Sequence, residues 1–234
     1  MDYKRLTLFA GHYGSGKTNI AVNYALQLAK EGKQVCIADL DIVNPYFRTA
    51  DSERELSRAG VELIRPRFAN TNVDLPALPA EAYRLVQDRA FHAVMDIGGD
   101  DRGAYALGRY VPAIREENNY RMVFVANCYR PLTRTPEDAL EVMREIEAAC
   151  GLQFTDIVNN SNLGTETTPQ TVLDSLDFIS ALSTASGLPV YLHTAEAAVA
   201  AALADQPFPV FPLQLQEKYF DLPSQKPVNR PMWG

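Results

Sequence analysis

The sequence predicts an α/β fold of three layers, with a mostly parallel central sheet flanked by helices. Three observations predict it. Short apolar runs alternate with longer helical patterns along the chain, the mark of successive βαβ units. The first run leads into a Gly-rich turn that opens a helix, GHYGSGKT. Two later runs end in acidic residues, in ADLD and MDIGG. They lie at the strand ends where open parallel sheets place their ligands.

The elements follow in order. Arg5–Ala10 is apolar enough for a buried first strand. Lys17–Lys30 carries Ile20, Tyr24 and Leu28 on one stripe and Ala21, Ala25 and Ala29 beside it, a helix made to lie on a sheet. Gly32 stops it. Gln34–Leu40 is the second strand, and Pro45 ends regular structure after it. A helix over Ser52–Arg58 closes at Gly60, and Val61–Ile64 is a short strand. Glu81–Arg89 reads as a helix and His92–Ile97 as a buried strand. Tyr105–Glu116 reads as a helix kinked at Pro112. Met122–Ala126 is a strand. Pro136–Ala149 has Pro136, Glu137 and Asp138 in its first turn and Gly151 after its end, which are helix start and stop signals. Phe154–Asn159 is a strand, 171–184 a helix, Leu188–Leu192 a strand and Ala195–Leu203 an Ala-rich helix. From Gln206 the prolines predict a tail that wraps the surface.

The chain has 234 residues, 47% hydrophobic and 22% charged, with a net charge of −7. We read residues 1–234 as a single domain with a sizeable core. No Lys/Arg cluster marks a nucleic-acid footprint. The opening apolar run is too short for a signal peptide, and no run approaches the ~20 apolar residues of a membrane span. The expectation is a cytoplasmic protein with no membrane anchor. Cys36, Cys128 and Cys150 form no CxxC pair, so neither a disulfide framework nor a zinc site is expected.

Gly11-His12-Tyr13-Gly14-Ser15-Gly16-Lys17-Thr18 matches GxxxxGK[ST] between a strand and a helix, the context of a phosphate loop. Gly14 and Gly16 open backbone conformations that turn consecutive N–H groups inward to form an anion cradle. The helix N-terminus, through Asn19, adds positive potential. Lys17 supplies a mobile cation for the β- and γ-phosphates, and the Thr18 hydroxyl is a hard ligand for Mg²⁺. A nucleoside triphosphate with Mg²⁺ is the expected ligand.

Asp39 and Asp41 end the second strand, two residues apart, so they can share one face. They are expected at the magnesium hydration shell and at an attacking water. A solvated strand-end turn is the alternative. Asp96 ends HAVMDI as a Walker B carboxylate, and Gly99 offers a backbone N–H near a γ-phosphate. For Asp96 the alternative is a helix-capping turn.

GHYGSGKT, ADLDIVNP and the DIGG strand end together resemble the MinD/ParA-like branch of P-loop NTPases, which includes the nitrogenase iron protein. The resemblance runs from about Arg5 to about Ala200. It implies a P-loop NTPase fold, MgATP binding, ATP-sandwiched homodimers and switching of a protein partner. It assigns Asp41 to the hydrolytic water, Asp39 to the magnesium site, and Asn159 with its neighbour Asn160 to adenine. The segment His193–Glu196 would border the base. His12 stands where many members carry a signature Lys. A neutral His lacks that charge, which turns attention to Arg48 or Arg102 as a cation. The paired cysteines of iron–sulfur members are missing, so no cluster is expected. Cys128 is the faint exception.

A guanine-reading loop uses a carboxylate. Asn159-Asn160-Ser161-Asn162 offers amides instead, which suit adenine unless the run is only a turn. The expected activity is a switch-type ATPase. A small-molecule kinase or ligase on the same loop, with Arg65 and Arg67 binding an anionic acceptor, is the alternative. A third reading holds ATP without turnover.

Overall fold

The computed structural model describes residues 2–40, 53–64, 83–98 and 101–215. Its strands are β1 (Leu6–Ala10), β2 (Val35–Leu40), β3 (Glu62–Ile64), β4 (His92–Ile97), β5 (Tyr120–Ala126), β6 (Asp156–Asn159), β7 (Val190–Glu196) and β8 (Val210–Leu213). They form one sheet in the order β3-β2-β4-β1-β5-β6-β7-β8. Among the described residues every pairing is parallel, so the sheet there is wholly parallel. The order reverses around β1, which lies between β4 and β5. The turn leaving β1 therefore opens at a topological switch point, where such sheets bind ligands.

Helix α1 (Lys17–Lys30) follows β1 and α2 (Glu53–Arg58) precedes β3; α3 (Arg84–Gln87) precedes β4. Helices α4 (Asp101–Gly108) and α5 (Val111–Glu117) lead to β5, and α6 (Pro136–Cys150) leads to β6. Helices α7 (Pro169–Leu173) and α8 (Leu176–Ser186) precede β7, and α9 (Ala197–Ala202) precedes β8.

Alternation along the strands splits the core into two layers. Leu6, Leu8 and Ala10 of β1, Met122 and Phe124 of β5, and Ala93, Met95 and Ile97 of β4 meet Leu107 of α4, Met143 and Ile146 of α6, and Leu182 of α8. On the other face, Phe9, Val35, Ile37, Val94, Val123 and Val125 meet Ile20, Tyr24 and Leu28 of α1. The same alternation turns Asp39 and Asp96, like Ile37 and Val94 two residues before them, towards α1.

Four local expectations change. The helix read over Tyr105–Glu116 is two helices, α4 and α5. Gly108 ends the first, and Pro112 sits in the first turn of the second, where its missing N–H costs no hydrogen bond. The helix read over 171–184 also divides. Thr168 opens α7 with a capping box, and the buried Ser175 returns its hydroxyl to Val172 O at 2.7 Å, a bond that competes with helix continuation. β7 runs on to Glu196 because His193 to Glu196 pair with β8. That pairing overrides the helix propensity of Ala195, so α9 starts only at Ala197. Finally, residues after Gln206 include a strand, β8. It ends the sheet among the described residues, where an edge tolerates Pro212.

Candidate functional site

The turn Gly11–Gly16 joins β1 to α1. Gly11 is buried, and a Cβ there would lie 2.7 Å from Val125 O of the neighbouring β5. Gly16 takes the N-cap of α1 with φ 92°, and a Cβ there would overlap Asn160 Nδ2. Glycine is required at both places by close approach as well as by dihedral. Gly16 also brings no side chain to close the helix end. Thr135 and Thr168, by contrast, cap α6 and α7 with their hydroxyls. The first amides of α1 thus face the turn rather than a side-chain cap, and they add helix-dipole potential to it.

Inside the turn, Ser15 N donates to His12 O at 3.1 Å, and Lys17 Nζ donates to the same carbonyl at 3.2 Å. Lys17 is buried, and that bond holds its ammonium against the turn. Tyr13 is exposed at the loop's tip. Asn19 lies in the first turn of α1, and its carbonyl accepts from Asn23 Nδ2 at 2.8 Å.

Thr18 Oγ1 donates to Asp96 Oδ2 at 2.5 Å. Asp96 is in register with Asp39 on the adjacent strand, and both carboxylates are buried. One hydroxyl and two carboxylates make an all-oxygen donor set, which suits a hard cation such as Mg²⁺. Of the residues read from sequence, the fold brings Thr18 and Asp96 into contact, with Asp39 in register beside Asp96 and Lys17 next to Thr18 in the first turn of α1. Asp41, Gly99, Arg48, Arg65 and Arg67 lie outside the described residues, as does the side chain of Arg102.

Asn159 and Asn160 sit on the other side of β1, and both amides are occupied within the protein. Asn159 Nδ2 lies 2.9 Å from Ser175 Oγ, to which it donates, and 3.2 Å from His193 Nδ1. Its Oδ1 accepts from Ser161 N at 3.2 Å. Burial lowers the pKa of His193, which favours the neutral ring whose Nδ1 can accept. Asn160 Nδ2 donates to Ser15 O at 2.6 Å, and its Oδ1 accepts from Thr194 Oγ1 at 2.7 Å. The two asparagines therefore tie β6 to β7 and to the Gly11–Gly16 turn. Asn162 donates from Nδ2 to Asn160 O at 2.7 Å and accepts from Gly164 N at 3.1 Å.

Two further residues were not legible beforehand. Asn127, wholly buried at the end of β5, accepts from Tyr129 N at 3.0 Å and from Thr133 Oγ1 at 2.7 Å. Arg130 Nε donates to Gly14 O at 2.9 Å. That contact spans 116 positions of sequence, and nothing beside Arg130 announces it. Cys36 and Cys150 are buried and Cys128 half-buried, all three as free thiols. Burial raises their pKa, for Cys36 to about 12. Among the described residues no group of three or more His, Cys, Asp and Glu side chains could hold a metal by itself. No helix there is long and apolar enough to cross a membrane.

No protein-family model matches the chain, nor does any curated protein sequence. Solved structures do. The chain is similar to the cell division protein FtsY of Thermotoga maritima, with 17% identity and a TM-score of 0.53 over 81% of this chain and 60% of that one. FtsY of Mycoplasma mycoides has 17% identity and a TM-score of 0.51 over 81% and 60%. Chloroplast FtsY of Physcomitrella patens has 19% identity and a TM-score of 0.50 over 82% and 59%. The match thus takes in about three fifths of each of these proteins. The fold is that of the α/β P-loop nucleoside triphosphatases.

Proposed function

We propose that the chain is a Mg²⁺-dependent, switch-type P-loop triphosphatase that binds ATP on Gly11–Thr18 and hydrolyses it to ADP and phosphate. The observation that carries this reading is the phosphate loop at the switch point, with Thr18 bonded to Asp96 beneath it. The loop amides and Lys17 hold the polyphosphate and offset its charge. Thr18, Asp96 and Asp39 would hold Mg²⁺, which when bound would offset phosphate charge. Asp41, from the sequence pattern, orients the water whose oxygen attacks the γ-phosphorus. The bond from the γ-phosphorus to the bridging oxygen breaks, and ADP leaves.

ATP is preferred to GTP on the donor set of the β6 loop. At Asn162, aligned with the guanine-reading carboxylate of such loops, this chain has an amide, whereas guanine calls for a carboxylate. The MinD/ParA-like branch is the assignment within the fold that best accommodates the two-aspartate pattern at Asp39 and Asp41. A nucleotide-dependent homodimer and a protein partner follow from it. Three free thiols suit a reducing compartment such as the cytoplasm.

The test is product analysis with the full chain. Free phosphate released from MgATP without an acceptor supports the switch. Phosphorylation of an added small molecule would transfer the site to the kinase reading. Tighter binding of GTP than ATP would overturn the base assignment alone.

A further inference from the structure

The sheet order divides the phosphate loop's surroundings into two ends. Asp96 and Asp39 stand on β4 and β2, on one side of β1. Asn160 and Arg130 stand after β6 and β5, on the other. A nucleotide laid along the loop with its terminal phosphate at the Thr18–Asp96 end has its nucleoside at the β5–β6 end.

Arg130 is held at that second end by a rigid turn. Its N–H donates to Asn127 O at 3.2 Å, and Thr133 Oγ1 donates to the same carbonyl. Asn127 and Thr133 are both wholly buried. The turn is tied in addition to the β6 loop, through Cys128 N to Ser161 Oγ at 3.2 Å and Asn162 N to Asn127 Oδ1 at 3.4 Å. From there the side chain crosses to the phosphate loop, where Nε donates to Gly14 O at 2.9 Å. One N–H of the five-donor fork is thereby used. Among the described residues Nη1 and Nη2 make no hydrogen bond or ion pair. The side chain is half-buried, so part of it remains accessible to a ligand.

We propose that Arg130 is a nucleotide-binding residue, bracing the phosphate loop at Gly14 and turning its remaining N–H groups and flat face to the nucleoside. The proposal rests on the nucleotide-binding reading above and deepens it. A guanidinium plane stacks on a base or donates to ribose oxygens. Contact with the nucleoside, unlike contact with a γ-phosphate, is shared by ATP and ADP.

Calorimetry on the full chain separates these possibilities, with MgATP, MgADP and magnesium tripolyphosphate as probes. In Arg130→Ala we expect ATP and ADP each to bind about tenfold more weakly, which corresponds to ~1.4 kcal/mol. Tripolyphosphate should lose less than ADP does, since it feels only the lost brace at Gly14. Arg130→Met keeps much of the stem and removes the guanidinium, so the same pattern is expected from it even should Arg130→Ala fail to fold. Unchanged ADP affinity in Arg130→Met overturns the proposal. So does an equal loss for ADP and tripolyphosphate, and so does a loss confined to ATP. A wild-type chain that binds none of the three probes removes the nucleotide reading and this proposal together.

Discussion

Thr18 of α1 and Asp96 of β4 share a 2.5 Å hydrogen bond across 78 positions of sequence. Both belong to the face of the sheet that α1 covers. The bond fixes the first turn of the helix over a strand end, and it leaves a hydroxyl and a carboxylate beside the place where phosphates would lie. Charge-assisted bonds of this kind are short and strong.

If this pair holds Mg²⁺, then Thr18→Ala and Asp96→Asn should each remove the metal's contribution to nucleotide affinity. We expect wild-type binding to weaken about tenfold or more on chelation with EDTA. In either variant, binding with and without EDTA should coincide. Titrations with and without EDTA check this. A variant that keeps the full metal dependence contradicts the assignment.

Gly11→Ala should destabilise the fold whether or not a ligand is present. The new methyl would meet Val125 O at 2.7 Å, and that oxygen belongs to the strand backbone, which cannot rotate aside. Overpacking against backbone costs about 1–3 kcal/mol. In a chain of this size that lowers Tm by roughly 2–12 °C. Thermal unfolding without nucleotide is the measurement, and an unchanged Tm would show that the strand and loop can separate.

Asn160 gives a contrast between two substitutions. Asn160→Ala deletes the donor to Ser15 O and the acceptor for Thr194, and losing buried partners of this kind costs about 1–3 kcal/mol. Asn160→Asp keeps the Thr194 acceptor but sets an oxygen against Ser15 O. It should therefore impair nucleotide binding more than Asn160→Ala does. The reverse ranking in a binding titration would deny Asn160 its role as a brace of the loop.

His193 predicts a pH dependence of stability. Burial lowers its folded-state pKa below the ordinary value of 6.5, so the unfolded chain binds the proton first. Stability attributable to this group is complete above pH ~6.5 and declines as the pH falls towards the folded-state value. His193→Gln should flatten the acid limb of the profile between about pH 7 and pH 5. Urea unfolding across that range checks it, and identical slopes in the two proteins would refute it.

The strand–turn–helix at Gly11–Gly16 could be read in the sequence because its geometry is local: a strand, a glycine turn and a helix within one stretch. Asp96 was legible for a similar reason, as a charge that ends an apolar run. The asparagines were legible only as a cluster. Besides local bonds, Asn159 and Asn160 reach Ser175, Thr194, His193 and Ser15, 16 to 145 positions away, and those partners are set by tertiary packing. Arg130 carried no local signal at all. Pro112 and Pro212 were read as disruptions, yet the fold uses one in a helix's first turn and the other on an edge strand. In both places the missing N–H has no partner to lose.

The most direct test of the account is calorimetric titration of the full chain with MgATP, alongside Lys17→Ala under the same conditions. Heat of binding at about one nucleotide per chain, lost or weakened at least ~100-fold in the variant, is the predicted result. No binding by the wild type, or equal binding by both proteins, would contradict the claim that Gly11–Thr18 holds a nucleotide.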